Sequence, residues 1–355
     1  MGYEWWWRCW VLEFGGFEIF ITFAALIILY MYSISEVREW VDRVIRNLHV
    51  PGEPQELYGP VSYVMSMGGK RVRPMLCVLS CNLFSERIDN RVLFPAVGLE
   101  LFHAFTLVHD DIMDNAVLRR NQATVHRKWD VNSAILSGDV MCIAAYRYIC
   151  EVDPVYLPEV LRLFNETAAQ VCEGQQLDMN YERHAVISEE EYLQMVERKT
   201  AVLLAAAAKI GAIAGGASSQ HVAGMYEFGR LLGVAFQIQD DLLDVYGDAD
   251  IFGKVIGHDI ACNKKTFLLL LAMQQASGSD KRDLFSLLTG KGVSVEEKIR
   301  SMLDIYRRLQ IRQQVEGHIA GYYERALALL DTVDVAPGRK EYMRQFAEKL
   351  VGRKH

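Results

Sequence analysis

Proline is scarce in this chain: eight in 355 residues, with no Ser/Pro-rich linker among them. No boundary is marked inside the body, so one large domain is favoured over two. Positive charge is short as well. Lys and Arg total 38 against 45 Asp and Glu, a formal net charge of −7, which argues against a general nucleic-acid partner. Cys9, Cys77, Cys81, Cys142, Cys150, Cys172 and Cys262 include no CxxC pair and no Cys/His spacing of a zinc site. Their odd number and irregular spacing fit reduced, mostly buried thiols of a cytoplasmic protein rather than a disulfide framework. No stretch alternates strongly enough to claim a sheet, and no fixed-period repeat or low-complexity tract occurs.

What the chain does have is helical periodicity. Hydrophobic residues make up 51%, enough for a large core. Val37, Trp40, Val41, Val44, Ile45 and Leu48 recur three or four apart, and Pro51-Gly52-Glu53-Pro54 ends that helix. A second helix is predicted over Leu57 to Met67, stopped by Gly68-Gly69, with a restart at Arg73-Pro74. Further helices are predicted over 95–115, 131–150, 156–180, 189–215, 220–246, 264–277, 295–308, 311–331 and 339–351. The fold class is all-α: a single large bundle of ten or more helices around a central substrate cavity.

The first 33 residues form a hydrophobic extension unlike the predicted domain over 34–355. Trp5, Trp6, Trp7 and Trp10 crowd the start, and Ile19 to Ser35 runs without charge. That run is at the lower edge of a membrane span, and Arg38, Arg43 and Arg46 behind it would leave the body on the cytoplasmic side. Three readings stand. Residues 5–35 contact a membrane, giving inner-membrane association; translation starts at Met31, with Ser35 as the first N-cap; or the segment is an interfacial or packed helix.

Two acidic runs carry the chemistry: Asp110-Asp111-Ile112-Met113-Asp114 and Asp240-Asp241-Leu242-Leu243-Asp244. Each has the form DDxxD inside apolar, helix-like sequence. Residues four apart share a helix face, so Asp110 projects with Asp114 and Asp240 with Asp244. Clustered carboxylates repel and need compensation, which a hard cation supplies. Mg²⁺ takes one or two carboxylates and completes its shell with water and substrate phosphate. Basic clusters accompany the runs: Gly68-Gly69-Lys70-Arg71-Val72-Arg73-Pro74, Arg119-Arg120, Lys199-Thr200, and Lys254 with Lys264 and Lys265. Glycines admit backbone N–H groups to an anion, and arginine forks suit phosphate oxygens. A lysine opening an apolar run, as Lys199 does, is more often a snorkelling surface residue than a ligand. Together the clusters describe a site for two diphosphates and several Mg²⁺ ions.

With these motifs in order, the chain from about Met31 to Arg353 resembles the trans-isoprenyl diphosphate synthases (the polyprenyl synthetase family), short-chain geranylgeranyl or farnesyl type, of the bacterial kind. GGKRxRP, DDxxD followed by RR, GQxxD at Gly174–Asp178, KT, and FQxxDDxxD followed by GK and NK carry the resemblance. It implies an isoprenoid synthase fold, head-to-tail condensation of isopentenyl diphosphate with an allylic diphosphate, two or three Mg²⁺ ions and a homodimer. By the same resemblance Lys70, Arg73, His103 and Arg120 hold isopentenyl diphosphate, and Arg119 holds the allylic diphosphate. Asp110, Asp111 and Asp114 form the first metal cluster, and Asp240 with Asp244 the second. Lys199, Thr200, Gln237, Lys254 and Lys264 surround the allylic diphosphate, with Thr200 and Gln237 facing the cation. Asn121 and Ala123 stand where the family usually has Gly and Pro, which is expected to loosen that loop. Phe105 and Phe102, five and eight residues before Asp110, are expected to floor the product tunnel and keep the product at C15–C20. A longer-chain synthase and a non-catalytic partner subunit are the alternatives, although such subunits usually lose an acidic cluster. A class I terpene cyclase would lack the second DDxxD and GGKRxRP, and a ferritin-like bundle would need Glu-x-x-His pairs.

Overall fold

The computed structural model describes residues 31–184, 186–247, 257–290 and 293–352, with the two-residue strands β1 (Glu13–Phe14) and β2 (Phe17–Glu18), which pair antiparallel. Lys254 and the membrane reading of the N-terminal run lie outside the described residues. The first helix, α1, spans Ile34–Arg46. Its N-cap is Ser33 rather than the expected Ser35. Ser33 Oγ accepts the Glu36 N–H, and Glu36 Oε2 accepts the Ser33 N–H at 2.8 Å. That reciprocal box needs a carboxylate three residues on, which Ser33 has and Ser35, with Arg38 there, lacks.

Helices α2 (Gln55–Ser66), α3 (Val72–Phe84), α4 (Asn90–Met113), α5 (Val125–Lys128), α6 (Val131–Ile149) and α7 (Leu157–Glu182) follow. The predicted helix over 189–215 is three pieces: α8 (Glu189–Val196), a π-helical segment (Glu197–Ala201) and α9 (Val202–Ala214). After α10 (Ser219–Tyr246) come α11 (His258–Ala261), α12 (Phe267–Gln275), α13 (Gly278–Thr289), α14 (Val295–Arg308), α15 (Ile311–Asp331) and α16 (Pro337–Val351). Sequence periodicity misses α13 because only Leu284 of it is buried; a helix that buries so little leaves no stripe to read.

Helix α9 is the centre. Its Val202–Ala208 stretch is wholly buried, and α3, α4, α7 and α10 pack around it. A run of alanines lets four neighbours approach closely, and the bundle is built on that. Helix α4 packs on α6, and α10 on α15. Among the described residues only α4 is long and apolar enough to cross a membrane, yet 67% of its most apolar window is buried. Its hydropathy is that of a core helix carrying Asp110 at its C-terminal end.

The sheet content is small. Strands β3 (Leu118–Arg119) and β4 (Gln122–Ala123) form a hairpin through Arg120 and Asn121, both at positive φ (52° and 61°). A two-residue turn with both φ positive is the turn that twists with its strands, and asparagine is the non-glycine residue that best tolerates it. Thr124 Oγ1 donates to Ala116 O at 2.7 Å and Tyr63 OH to Ala123 O at 2.9 Å. The loop expected to be loosened without Gly and Pro is therefore tied on both sides.

Candidate active site

The last turn of α4 brings the first acidic run to the end of the bundle. Asp111 turns inward, 4% exposed, and Arg119 grips it: Nε lies 2.9 Å from both carboxylate oxygens and Nη2 2.7 Å from Oδ1. Burial pushes the Asp111 carboxyl up and Arg119 partly opposes this. Arg119 Nη2 is also 3.8 Å from Asp110 Oδ2. Burial works against the Arg119 charge, but Asp111, Asp110 and Asp114 outweigh it and hold the guanidinium above its usual range. Asp114 lies at the exposed rim, and partial desolvation with the neighbouring Asp110 charge pushes it up to about 6.

The π segment supplies the next two groups. An ideal Cβ on Gly174 of α7 would lie 2.2 Å from the Lys199 backbone nitrogen and 2.6 Å from its Cα. Only glycine admits this backbone contact, and Asp178, one turn further along α7, then faces the Lys199 side chain. Lys199 Nζ is 2.5 Å from Asp178 Oδ2 and 3.5 Å from Asp110 Oδ1. Desolvation opposes its charge, and Asp110 and Asp178 outweigh it, so Lys199 stays protonated. It is not the snorkelling residue its sequence position favoured. Thr200 Oγ1 donates to Gln237 Oε1 at 3.0 Å, a contact the wide π turn, frequent at functional sites, brings about across to α10.

The second acidic run divides by face. Asp240 is exposed, whereas Asp241 is 4% exposed and wholly engaged within the fold. Asp241 accepts from Tyr192 OH (2.6 Å), the Phe267 N–H (3.1 Å) and Gln237 Nε2 (3.1 Å). This orients Gln237 with its carbonyl oxygen toward Thr200. Asp244 Oδ2 accepts the Asp259 N–H at 3.0 Å. Lys264 stands 3.9 Å from Asp259. Desolvation works against its charge, but Asp259, Asp241, Asp178 and Asp110 together raise its pKa. One lysine thus feels carboxylates of both acidic runs.

The glycine turn lies before α3. Arg73 is buried, its Nε has no hydrogen-bond partner among the described residues, and burial lowers its pKa to about 10. An orphaned buried guanidinium donor costs about 1–3 kcal/mol until an anion accepts from it. His103 is held well below the usual histidine range by burial and by Arg73, Arg120, Arg119 and Arg71. Arg120 Nη1 donates to Gly68 O, and a Cβ on Gly69 would come within 2.7 Å of the same nitrogen. Arg71 does not join this face: it is 6% exposed and pairs at 2.7 Å with the buried carboxylate of Glu100. Lys70 is exposed.

Below the first acidic run the aromatic rings meet tilted or edge to face. Phe102, 1% exposed, has Phe105 at 5.4 Å and Phe164 of α7 at 5.2 Å between ring centroids. Phe105 is half-buried and meets His109 at 4.7 Å.

Arg119, Lys199, Thr200 and Gln237 thus gather about Asp110, Asp111 and Asp241, and Arg73, His103 and Arg120 about the glycine turn, while Lys254 lies outside the described residues. Asp259, Tyr192 and Glu100 were not singled out, and Asp178 entered only as the last residue of the GQxxD motif, with no role given to it. For Mg²⁺ the donor chemistry fits: Asp110, Asp114, Asp240 and Asp244 are oxygen donors in two groups. Among the described residues no three His, Cys, Asp or Glu side chains close into a ready-made metal cage.

This fold and site define a class, the all-α prenyltransferases. A family description, Polyprenyl synthetase, matches residues 54–306, and the chain belongs to that family. It is 36% identical to a geranylgeranyl diphosphate synthase of Methanosarcina mazei over 89% of this chain and 95% of the relative. It is 38% identical to a geranylfarnesyl diphosphate synthase of Natronomonas pharaonis over 72% and 79%. A crystal structure of a geranylgeranyl pyrophosphate synthase superposes with a TM-score of 0.86 at 36% identity, covering 92% of this chain and all of that one. Both named organisms are archaea, so the bacterial type expected from the sequence is not supported. The chain is a short-chain trans-prenyltransferase.

Proposed function

We propose that the protein condenses isopentenyl diphosphate head-to-tail with an allylic diphosphate to an all-trans product of C15–C20, in the cytoplasm, with residues 34–355 as the catalytic unit. The observation that carries this reading is the shared electrostatic centre. Lys199 Nζ stands 3.5 Å from Asp110 of the first acidic run, and its neighbour Thr200 donates to Gln237, which is held by Asp241 of the second, so two motifs 130 residues apart in sequence meet at one site. Asp110, Asp111 and Asp114 on one side, and Asp240 and Asp244 on the other, would hold two or three Mg²⁺ ions. Bound there, Mg²⁺ would stabilise charge developing on the departing diphosphate.

The chain's own groups do the rest. Arg119, Lys199 and Lys264, their charges fixed beforehand by carboxylates, hold the allylic diphosphate as its C–O bond breaks, and Lys254 is assigned to the same group. Thr200 and Gln237 present oxygen dipoles to the carbon left positive, and Asp241 keeps Gln237 so turned. Lys70, Arg73, His103 and Arg120 hold isopentenyl diphosphate with its double bond toward that carbon. The π electrons form the new C–C bond, and the proton lost in restoring the alkene goes to the released diphosphate. Phe102 and Phe105 close the apolar space behind the allylic chain.

The test is incubation of the purified protein with labelled isopentenyl diphosphate and each allylic primer, with products sized by chain length. Asp110→Ala and Asp240→Ala are each expected to cut turnover by roughly 10²–10³ while the protein stays folded. Near-normal turnover of either in Mg²⁺ would sink the two-cluster site. We also propose a homodimer, supported by Val131, Ile135, Leu136 and Ile143, which leave one side of α6 40–59% exposed. Sedimentation of Ile143→Arg should show monomer; an unchanged species rules out this face.

A further inference from the structure

Arg38, on the solvent side of α1, is part of no motif, yet it reaches across 31 residues of sequence to the glycine turn. Its Nη2 donates to Gly69 O at 2.6 Å and its Nη1 to Lys70 O at 2.9 Å. Its Nε donates to Asp42 Oδ2 at 2.6 Å. All three donor positions of the guanidinium are thus committed, and the planar fork fixes their relative directions. Asp42 is in turn 3.5 Å from Arg71 Nε through its other oxygen. Arg71 donates to Glu100 Oε1 (2.7 Å) on α4 and to Met65 O (3.2 Å) at the end of α2. The turn is therefore held at both ends by one ionic chain, Arg38–Asp42–Arg71–Glu100, that joins α1, the loop and α4.

The backbone shows what this holds. Gly68, Gly69 and Arg71 all have positive φ (72°, 150° and 51°). For Arg71, without glycine's freedom, this left-handed conformation is unfavourable and must be maintained from outside. In a trans peptide the C=O and N–H point in opposite directions. Carbonyls 69 and 70 are drawn toward α1, so the N–H groups of Lys70 and Arg71 face away from it, on the side opposite Arg38. A turn that aims successive N–H groups to one side has a geometry that suits an anion. Arg120 presses on Gly69 and donates to Gly68 O. The turn is thus gripped from two sides by guanidinium groups that differ in kind: Arg120 belongs to the basic face, whereas Arg38, among the described residues, hydrogen-bonds only to carbonyls and Asp42.

We propose that Arg38 is a positioning residue for isopentenyl diphosphate, holding the Gly68–Arg71 turn in its anion-binding shape through two backbone carbonyls while Glu100 anchors the same turn through Arg71. This rests on the assignment of Lys70 and Arg73 to isopentenyl diphosphate. The binding of one substrate then depends on the first helix of the body, and binding of the other does not.

The experiment measures both Michaelis constants, kcat and the thermal midpoint for Arg38→Ala and Glu100→Gln beside Lys70→Ala. Arg38 is partly exposed, so its removal opens no core cavity. Arg38→Ala is expected to raise KM for isopentenyl diphosphate by roughly ten- to a hundred-fold, the scale of an ångström misplacement of a binding group. KM for the allylic substrate and kcat should stay within about twofold. Millimolar methylguanidinium should restore the lost affinity of Arg38→Ala and leave the unsubstituted protein unaffected. Glu100→Gln should show the same split between substrates. An equal rise in both Michaelis constants, or a lowered thermal midpoint with both constants unchanged, overturns the proposal and leaves Arg38 a packing role. If Lys70→Ala itself leaves the isopentenyl diphosphate constant unchanged, the substrate assignment fails. If Lys70→Ala raises it and Arg38→Ala does not, only the positioning role fails.

Discussion

His103 shows how a single residue takes its properties from its neighbours. Burial and four surrounding arginines keep its imidazole neutral to well below the usual range. In the unfolded chain the same group protonates near pH 6.5. Below about pH 6.5 the unfolded state therefore binds more protons than the folded one, and stability falls as pH falls; above it this contribution is flat. His103→Gln should reduce the loss of thermal midpoint between about pH 6.5 and 5, read from unfolding curves across that range. Identical pH slopes in the two proteins would show that the histidine titrates normally in the fold. Burial likewise shapes Arg73, whose Nε is unpaired among the described residues and whose pKa is lowered to about 10. Asp241 is the converse: it sits in a DDxxD run, yet three hydrogen bonds within the fold make it an orienter of Gln237.

At the scale of elements, two contacts decide what the site can do. The first is between α7 and the π segment at Gly174. Gly174→Ala would place a methyl 2.2 Å from a backbone nitrogen, which no side-chain rotation relieves. Overpacking of this kind costs roughly 1–3 kcal/mol, and the displaced segment carries Lys199 and Thr200. Turnover should fall more than stability does; a variant that loses stability but keeps full turnover would show that the π segment tolerates the shift. The second contact is the edge-to-face ring packing of α4 on α7. Phe105→Ala should open space for about one more isoprene unit, since each Å² of chain buried there gains about 25 cal/mol. An empty apolar cavity would cost several kcal/mol. Products should lengthen by one or two C5 units, and further in Phe102→Ala/Phe105→Ala, although Phe102 is the more deeply packed. Unchanged product sizes in the double variant would place the floor on another helix.

At the scale of the whole molecule, α1 begins at Ile34 under its Ser33 cap, and the candidate site is assembled from the glycine turn, α3, α4, the β3–β4 hairpin, α7, the π segment, α10 and α11. A protein starting at Met31 retains every one of these and should fold and turn over normally, as circular dichroism and the condensation assay would show; loss of either would mean that residues 1–30 pack on the body. The all-α class, most helices and the paired acidic and basic clusters were legible in the sequence alone. Helical period and ligand chemistry are local properties, so they are written in spacing and residue type. Other features were decided only in three dimensions. Asp111 and Asp241 turn inward while their neighbours Asp110 and Asp240 do not, because each helix has one face against the core. One predicted helix breaks into α8, a π turn and α9, because Gly174 presses a second backbone against it. Arg71, in a run of three cations, faces Glu100 rather than the anion face, because a positive φ redirects it. Lys199 faces Asp178 and Asp110, and Arg38 reaches a turn 31 residues away. Such pairings depend on which helices lie side by side, and nothing in either partner's local sequence records the other.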